Sequence, residues 1–262
     1  MCLYGTSLFG KNLLLKSIYL QDDETIEDLQ LAGLLLMQKK NSFRYGMDSV
    51  LLADFADIHS NDITCDFGTG NGILPLLLIG RGKGQFFYAF EVVDDSAELA
   101  QRNVKLNHME DRIRIIHDDV SEASKYLNSC SIDSIICNPP YSQPASAIIS
   151  PNAKKATARN QKSDTLDNMF KSAFNLLKGK GKFFLVYPAP QMLFIMKKLQ
   201  NYHLEPKRFR LVYPSLHKSA NLVLIESVKD AKQTLHPMPP LIIYEENGHL
   251  TSELKSVYHI KE

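Results

Sequence analysis

Asn138-Pro139-Pro140-Tyr141, arriving directly after the apolar run Ile132, Ile135, Ile136 and Cys137, brings an amide oxygen, a backbone carbonyl and an aromatic ring within four residues. The two prolines fix φ and remove two N–H donors, so the carbonyls of Asn138 and Pro139 are less readily consumed by a local turn and can point outward as acceptors. Such a group at the end of a strand is a receptor for a flat ring bearing an –NH2 group. Asn-Pro also opens ordinary turns, so this reading depends on what the rest of the chain supplies.

A second set of residues lies upstream, in Asp66-Phe67-Gly68-Thr69-Gly70-Asn71-Gly72. Glycines at 68 and 70 let backbone approach a ligand closely, and a helix starting there offers unpaired N–H groups. The spacing departs from the dinucleotide fingerprint, because Ile73 stands where a third glycine would and Asp66 precedes the glycines. A carboxylate there is a poor neighbour for pyrophosphate and a good one for an ammonium group, so an amino-acid end bearing –NH3⁺ fits better than NAD. Glu91, after Tyr88-Ala89-Phe90, can accept from both hydroxyls of a ribose. Asp119 follows Ile116-His117-Asp118, where either acid could equally be a helix cap.

These residues need a frame that brings them together. From about residue 61 short apolar runs alternate with amphipathic stretches, the pattern of a parallel sheet covered by helices. Strands are predicted at Ile63–Phe67, Phe86–Phe90, Ile113–His117, Ile132–Cys137, Lys182–Tyr187, Phe209–Val212 and Leu222–Val228, and helices at Ile73–Ile79, Asp95–Asn107, Leu166–Leu177 and Met192–Leu199. Ala97, Ala100 and Val104 share one face of the second helix, with Asp94 or Asp95 as its N-cap. Asp48-Ser49 caps a further helix through Val50-Leu51-Leu52-Ala53, and residues 142–165 form a long irregular segment. Acids or the Asn-Pro-Pro-Tyr turn then follow each of the first four strands, and in a doubly wound sheet those carboxyl ends line one ligand crevice.

The 262 residues suffice for one large core, and 44% hydrophobic with 23% charged residues is the composition of a soluble globule. The apolar runs are far shorter than the roughly 20 residues a membrane helix needs, and the first 23 residues read as an extension. The four cysteines, Cys2, Cys65, Cys130 and Cys137, form no C-x-x-C pair, and the eight histidines have no metal-ligand spacing, so a reducing cytoplasm and no metal are expected. The net charge of +1 conceals −8 over residues 1–150 and +9 over residues 151–262. Between Lys154 and Lys218, 14 basic residues face only Asp164, Asp167 and Glu205. A surface that meets a polyanion is one explanation and a solvated basic face is another.

Taken together, Asp-x-Gly-x-Gly-x-Gly, the acids after the second and third strands and the NPPY motif resemble the S-adenosylmethionine-dependent amino methyltransferases of the Rossmann-like class I α/β fold. Phe43-Arg44-Tyr45-Gly46-Met47-Asp48-Ser49-Val50-Leu51-Leu52-Ala53, with Leu241-Ile242-Ile243-Tyr244 and Gly248-His249-Leu250-Thr251, is similar more narrowly to bacterial tRNA1(Val) adenine-37 N6-methyltransferases over roughly residues 24–258. The resemblance implies about seven strands, the last antiparallel, in one domain over 24–262 with a cofactor-covering segment at about 24–60. It gives Asp66, Gly68 and Gly70 to the methionine end of S-adenosylmethionine, Glu91 to the ribose, Asp119 to the adenine amine, and Phe43 to Asp48 to a cover. Asn138, Pro139 and Tyr141 would receive an adenine amine of tRNA, in the anticodon loop. Lys154, Lys155, Arg159, Lys162, Lys207, Arg208 and Arg210 would hold RNA phosphates. Asn160-Gln161 stands where the family pattern has His-Glu. A protein glutamine amide or guanine N2 of ribosomal RNA fits the same acceptors, and a non-enzymatic RNA-binding assembly protein could retain the fold.

Overall fold

The computed structural model describes residues 20–40, 46–139 and 154–260, with residues 154–164 described by their backbone alone. Runs such as Phe86–Phe90 and Phe183–Tyr187 are apolar on both alternating faces, which suits strands covered on two sides. Among the described residues, β3 (Ile63–Phe67), β4 (Phe86–Glu91), β5 (Ile113–His117), β6 (Ile132–Cys137) and β7 (Leu177–Pro188) are parallel, in the order β7-β6-β3-β4-β5. Beyond β7 comes β9 (Leu222–Lys229), antiparallel to both its neighbours, and then β8 (Leu204–Ser215). The short strands β10 (His236–Pro237) and β11 (Leu241–Tyr244) pair with β8 and extend the expected seven strands to nine. A separate hairpin joins β1 (Glu24–Asp28) to β2 (Leu35–Lys39).

Helices cover both faces. Ile136, Phe184 and Val186 pack in one cluster with α1 (Met47–Phe55), α2 (Ile73–Gly80) and the apolar face of α3 (Asp94–Leu106). Their neighbours Ile135, Phe183 and Leu185 point the other way, into a cluster with α4 (Lys154–Leu176) and α5 (Met192–Asn201). Leu254 and Val257 of the terminal α6 (Ser252–Val257) join the first cluster. No described helix is long and apolar enough to cross a membrane.

Several boundaries differ from those predicted. α4 begins at Lys154, so its first twelve residues replace much of the irregular segment; no proline or glycine interrupts the chain between Pro151 and Gly179, and Ala, Lys, Arg and Gln there are strong helix formers. A 23-residue helix is about 35 Å long, against roughly 20 Å for a six-residue strand, so its first turns reach past the carboxyl edge of the sheet. β7 starts at Leu177, five residues early, through Gly179 and Gly181, which read as turn residues. β8 runs well beyond Phe209–Val212, with a register shift at Pro206/Arg208 where proline cannot donate to the ladder. α3 starts at Asp94 with Val93 as N-cap, so Asp94 and Asp95 complement the helix dipole rather than cap it. α1 likewise starts at Met47, which puts Asp48 and Ser49 inside the helix.

The hairpin is tied to α3 by two asparagines one turn apart, Asn103 within the helix and Asn107 at its C-cap. Asn103 Oδ1 accepts from Met37 N–H (2.7 Å) while its Nδ2 donates to the Met37 carbonyl (2.9 Å). Asn107 does the same to Leu35, at 2.8 and 2.7 Å. The two side chains thus act as a strand for the open edge of β2. Asn103, fully buried, also donates to the Asn71 carbonyl in the Gly-rich turn (2.9 Å). Asn103→Leu should leave three buried backbone groups unpaired and lower stability by about 3 kcal/mol in denaturant unfolding.

Candidate active site

The chain runs from β3 outward to β5 and returns on the other side of β3 as β6, so the carboxyl ends of β3 and β6 form the topological switch point of the sheet. Register fixes what meets there. Phe67 pairs with both Phe90 and Cys137, and Glu91 pairs with His117. Asn138, Gly68, Glu91 and Asp118 therefore lie along one edge, with Asn138 and Glu91 two strand spacings apart, or about 10 Å.

The Gly-rich turn is folded onto its own strands. The Gly68 and Thr69 N–H groups both donate to the Phe90 carbonyl, Gly70 N–H donates to Glu91 Oε2 (2.8 Å), and Gly72 N–H donates to the Thr69 carbonyl. These four donors of the turn are engaged within the fold; the first N–H groups of the helix itself, at Ile73 and Leu74, are not among them. Gly68 and Gly70 have φ of +73° and +59°, and a Cβ at either would meet open space. Gly72, at φ +84°, packs against Ala100 of α3.

Asp66, the penultimate residue of β3, has its side chain fully buried, and among the described residues neither carboxylate oxygen has a hydrogen-bond partner. Burial pushes its carboxyl up from the usual 3.8 to about 7. Thr69 opposes part of this shift, although its hydroxyl completes no hydrogen bond, and the nearby charge of Glu91 adds to it. Cys65 and Cys137 are buried as well, and burial, then the Asp66 charge, raises both thiols, so neither is placed as a nucleophile.

Glu91 accepts from Gly70 and, through Oε1, from Val93 N–H (2.9 Å), which fixes the carboxylate at the end of β4. Asp119 caps the short 3-10 turn Val120–Lys125 by accepting from Ser121 N–H (2.8 Å), the alternative left open by sequence. Asp118 accepts from Tyr126 Oη (2.8 Å) and Asp119 N–H (2.8 Å), and these bonds lower its carboxyl. Asn138 follows β6 with its Nδ2 donating to Ser49 Oγ (3.0 Å) on α1, and Pro139 is buried beside it. Phe43 and Tyr141 lie outside the described residues. Asp48 sits in the first turn of α1. Ser49 was read only as part of a helix cap and Asn103 escaped the sequence reading; the signal for Asn103 was a polar residue on the apolar face of Ala97, Ala100 and Val104.

The basic residues divide into two groups. Lys154, Lys155, Arg159 and Lys162 stand on the first turns of α4, at the edge where Asn138 lies. Lys207, Arg208 and Arg210 are on β8, where pairing through β9 and β7 puts Arg208 level with Ile136 and Arg210 level with Val186, and all three have intramolecular partners. Lys207 Nζ donates to the Lys232 carbonyl and Thr234 Oγ1, and Arg210 donates to the Pro239 carbonyl and Glu253. Arg208 pairs with Glu226 (2.6 Å), lies 4.6 Å from the Phe55 ring centre and donates to the Phe55 carbonyl at the end of α1. Among the described residues, no group of three or more His, Cys, Asp or Glu side chains is placed to hold a metal ion.

The sequence model of the methyltransferase small domain matches residues 46–205, more than half the chain, which include Asp66, Glu91, Asp119 and Asn138. The chain belongs to that family. The tRNA1(Val) (adenine(37)-N6)-methyltransferase of Flavobacteriaceae bacterium (strain 3519-10) is 29% identical to it over 194 residues, covering 69% of this chain and 80% of that one. The protein of the same name from Aliivibrio salmonicida is 26% identical over 215 residues, 81% and 88% of the two chains. Among solved structures, a predicted O-methyltransferase from Agrobacterium tumefaciens superposes with a TM-score of 0.65 at 20% identity, over 81% of this chain and 96% of that one. TYW2 of M. jannaschii, solved in complex with AdoMet, gives 0.53 at 14% identity over 80% and 88%. The fold is the Rossmann-like one of class I methyltransferases.

Asp66 makes a testable demand on stability. Its folded carboxyl titrates near 7, above the usual 3.8, so the folded state holds a proton that the unfolded state has released, and stability falls as pH rises between those values. Asp66→Asn should match wild type near pH 4 and exceed it at pH 8 by on the order of 4 kcal/mol in the ligand-free protein. Parallel thermal melts across that range read the difference.

Proposed function

We propose that the protein transfers the methyl group of S-adenosylmethionine to the exocyclic N6 amine of adenine in tRNA, at position 37 in the anticodon loop of tRNA1(Val). Asn138-Pro139 at the switch point, one strand from the buried Asp66 and two from Glu91, carries this assignment. Family membership and the shared name of the relatives support it.

The residues fit the cofactor. A buried carboxylate without a partner suits an ammonium group, and the open cradle above Gly68 and Gly70 suits the chain that bears it. A carboxylate offers about four acceptor positions, so Glu91 keeps capacity for ribose hydroxyls beside its two backbone bonds. Asp119 would present its second oxygen to the adenine amine, and Phe43 to Asp48 would cover the crevice. Bound there, S-adenosylmethionine supplies a methyl group made electrophilic by its sulfonium.

The target amine is a weak nucleophile because its lone pair is delocalised into the purine ring. Asn138 Oδ1 and the Pro139 carbonyl, accepting its two N–H groups, favour a pyramidal nitrogen and stabilise the positive charge that develops in attack, as an oxyanion hole does for negative charge. Asn138 is no base, so the proton leaves to solvent after transfer. Tyr141 would stack on the base, and an unpaired loop adenine is cheap to extrude. Lys154, Lys155, Arg159 and Lys162, on α4 beside this edge, would grip flanking phosphates; Lys207, Arg208 and Arg210, expected to do the same, are also tied into the fold.

Labelled S-adenosylmethionine incubated with total tRNA and with ribosomal RNA should yield N6-methyladenosine in tRNA; label confined to guanine or to protein would refute the assignment. Asn138→Ala should lower kcat by roughly 10²–10³-fold with cofactor affinity unchanged. Reversing Lys154, Lys155 and Arg159 together should reduce the salt slope of RNA binding by at most about 2, while reversing Arg208 should lower stability instead. Binding measured at several salt concentrations, with melts alongside, separates the two.

A further inference from the structure

Ser49 has no part in the mechanism above, yet its hydroxyl holds the Asn138 carboxamide. It lies on α1, 4% exposed, and its Oγ accepts from Asn138 Nδ2 at 3.0 Å across 89 residues of sequence. We infer that Ser49 is a positioning residue, which turns the Asn138 carboxamide so that its oxygen, and not its nitrogen, faces the amine to be methylated. The inference rests on the reading of Asn138 as the acceptor of that amine.

A carboxamide has a donor end and an acceptor end of nearly the same shape. With Oδ1 toward the crevice, an incoming –NH2 meets an acceptor; rotated by half a turn, the same side chain would oppose donor to donor. The structure has the first arrangement: the hydroxyl, in the opening turn of α1, receives Nδ2–H, which sets Oδ1 on the other side of the carboxamide.

The hold is only as firm as the helix that carries it, and α1 is fixed at its far end by three groups from elsewhere. Lys83 Nζ donates to the carbonyls of Ala53, Asp54 and Ala56 at 2.9, 2.8 and 2.6 Å. Arg208 lies over Phe55 and donates to its carbonyl (3.2 Å), and Leu254 and Val257 pack in the same apolar cluster as α1. At its near end, Asp48, the residue expected on the cofactor side, immediately precedes Ser49. One helix therefore carries a cofactor-side residue and the anchor of the amine acceptor in adjacent positions.

Ser49→Thr and Ser49→Val test this, since the two have the same shape and differ in the hydroxyl. At saturating RNA and cofactor, Ser49→Ala and Ser49→Val should lose about tenfold in kcat with cofactor KM unchanged, and Ser49→Thr should recover most of the rate. In an Asn138→Ala background, Ser49→Ala should cause no further loss under single-turnover conditions. The contact is also read without catalysis: in protein labelled with 15N-asparagine, the carboxamide pair assigned by its disappearance in Asn138→Ala should shift in Ser49→Ala and Ser49→Val and stay near its wild-type position in Ser49→Thr. Equal rates for Thr and Val, a wild-type rate for Ala, or an unmoved carboxamide pair would overturn the inference. A wild-type protein that methylates no adenine would overturn the proposed reaction instead, and the resonances would still decide whether Ser49 holds Asn138.

Discussion

Phe67 stands level with Phe90 on one side and Cys137 on the other, and that parallel register at the centre of the sheet governs the rest of the site. It places the last residue of each strand at one height, so the turns that follow open into a single crevice. A slip of one residue in β6 would exchange Ile135 and Cys137 with Ile136 between the two helical layers, which the packing forbids. The apolar pattern that buries these strands on both faces therefore also sets Asn138 beside Gly68 and one strand further from Glu91.

Within that frame the polar groups near the crevice fall into two kinds. Glu91, Asp118 and the amides of the Gly-rich turn are engaged with backbone or side-chain partners and give the edge a fixed shape. Asp66 is the exception: it is fully buried, lacks a hydrogen-bond partner among the described residues and is held toward its neutral form by desolvation. Folding sustains that cost in the absence of a ligand, as sites that trade stability for binding do. Asn103 links the two kinds, because one side chain secures both the Gly-rich turn and the strand that leads toward α1.

The positive charge of the second half has two uses, and composition alone does not separate them. Lys182 pairs with Asp57, Lys178 with Asp133, Arg208 with Glu226 and Arg210 with Glu253, so part of the excess in one half neutralises acids in the other or within its own strands. Lys182–Asp57 and Lys178–Asp133 join the two halves, and half-by-half charge counts treat those pairs as unpaired.

Much of the architecture was legible in the chain. The limits of β3, β5 and β6 follow from short apolar runs bounded by polar turns, and the acids and Asn138 at their ends are visible as polar residues in fixed positions after such runs. Local chemistry sufficed there, since strand ends in a parallel sheet share an edge by construction. The reach of α4 and β7 was less legible, because lysines and glycines carry helix and strand signals that neighbours override. Three features required the folded chain: the burial of Asp66, the bridge of Asn103 from α3 to β2 and the Gly-rich turn, and the contact of Ser49 with Asn138. Each depends on which side chains approach across tens of residues, and a hydroxyl or amide carries no mark in sequence of the partner that packing will bring to it.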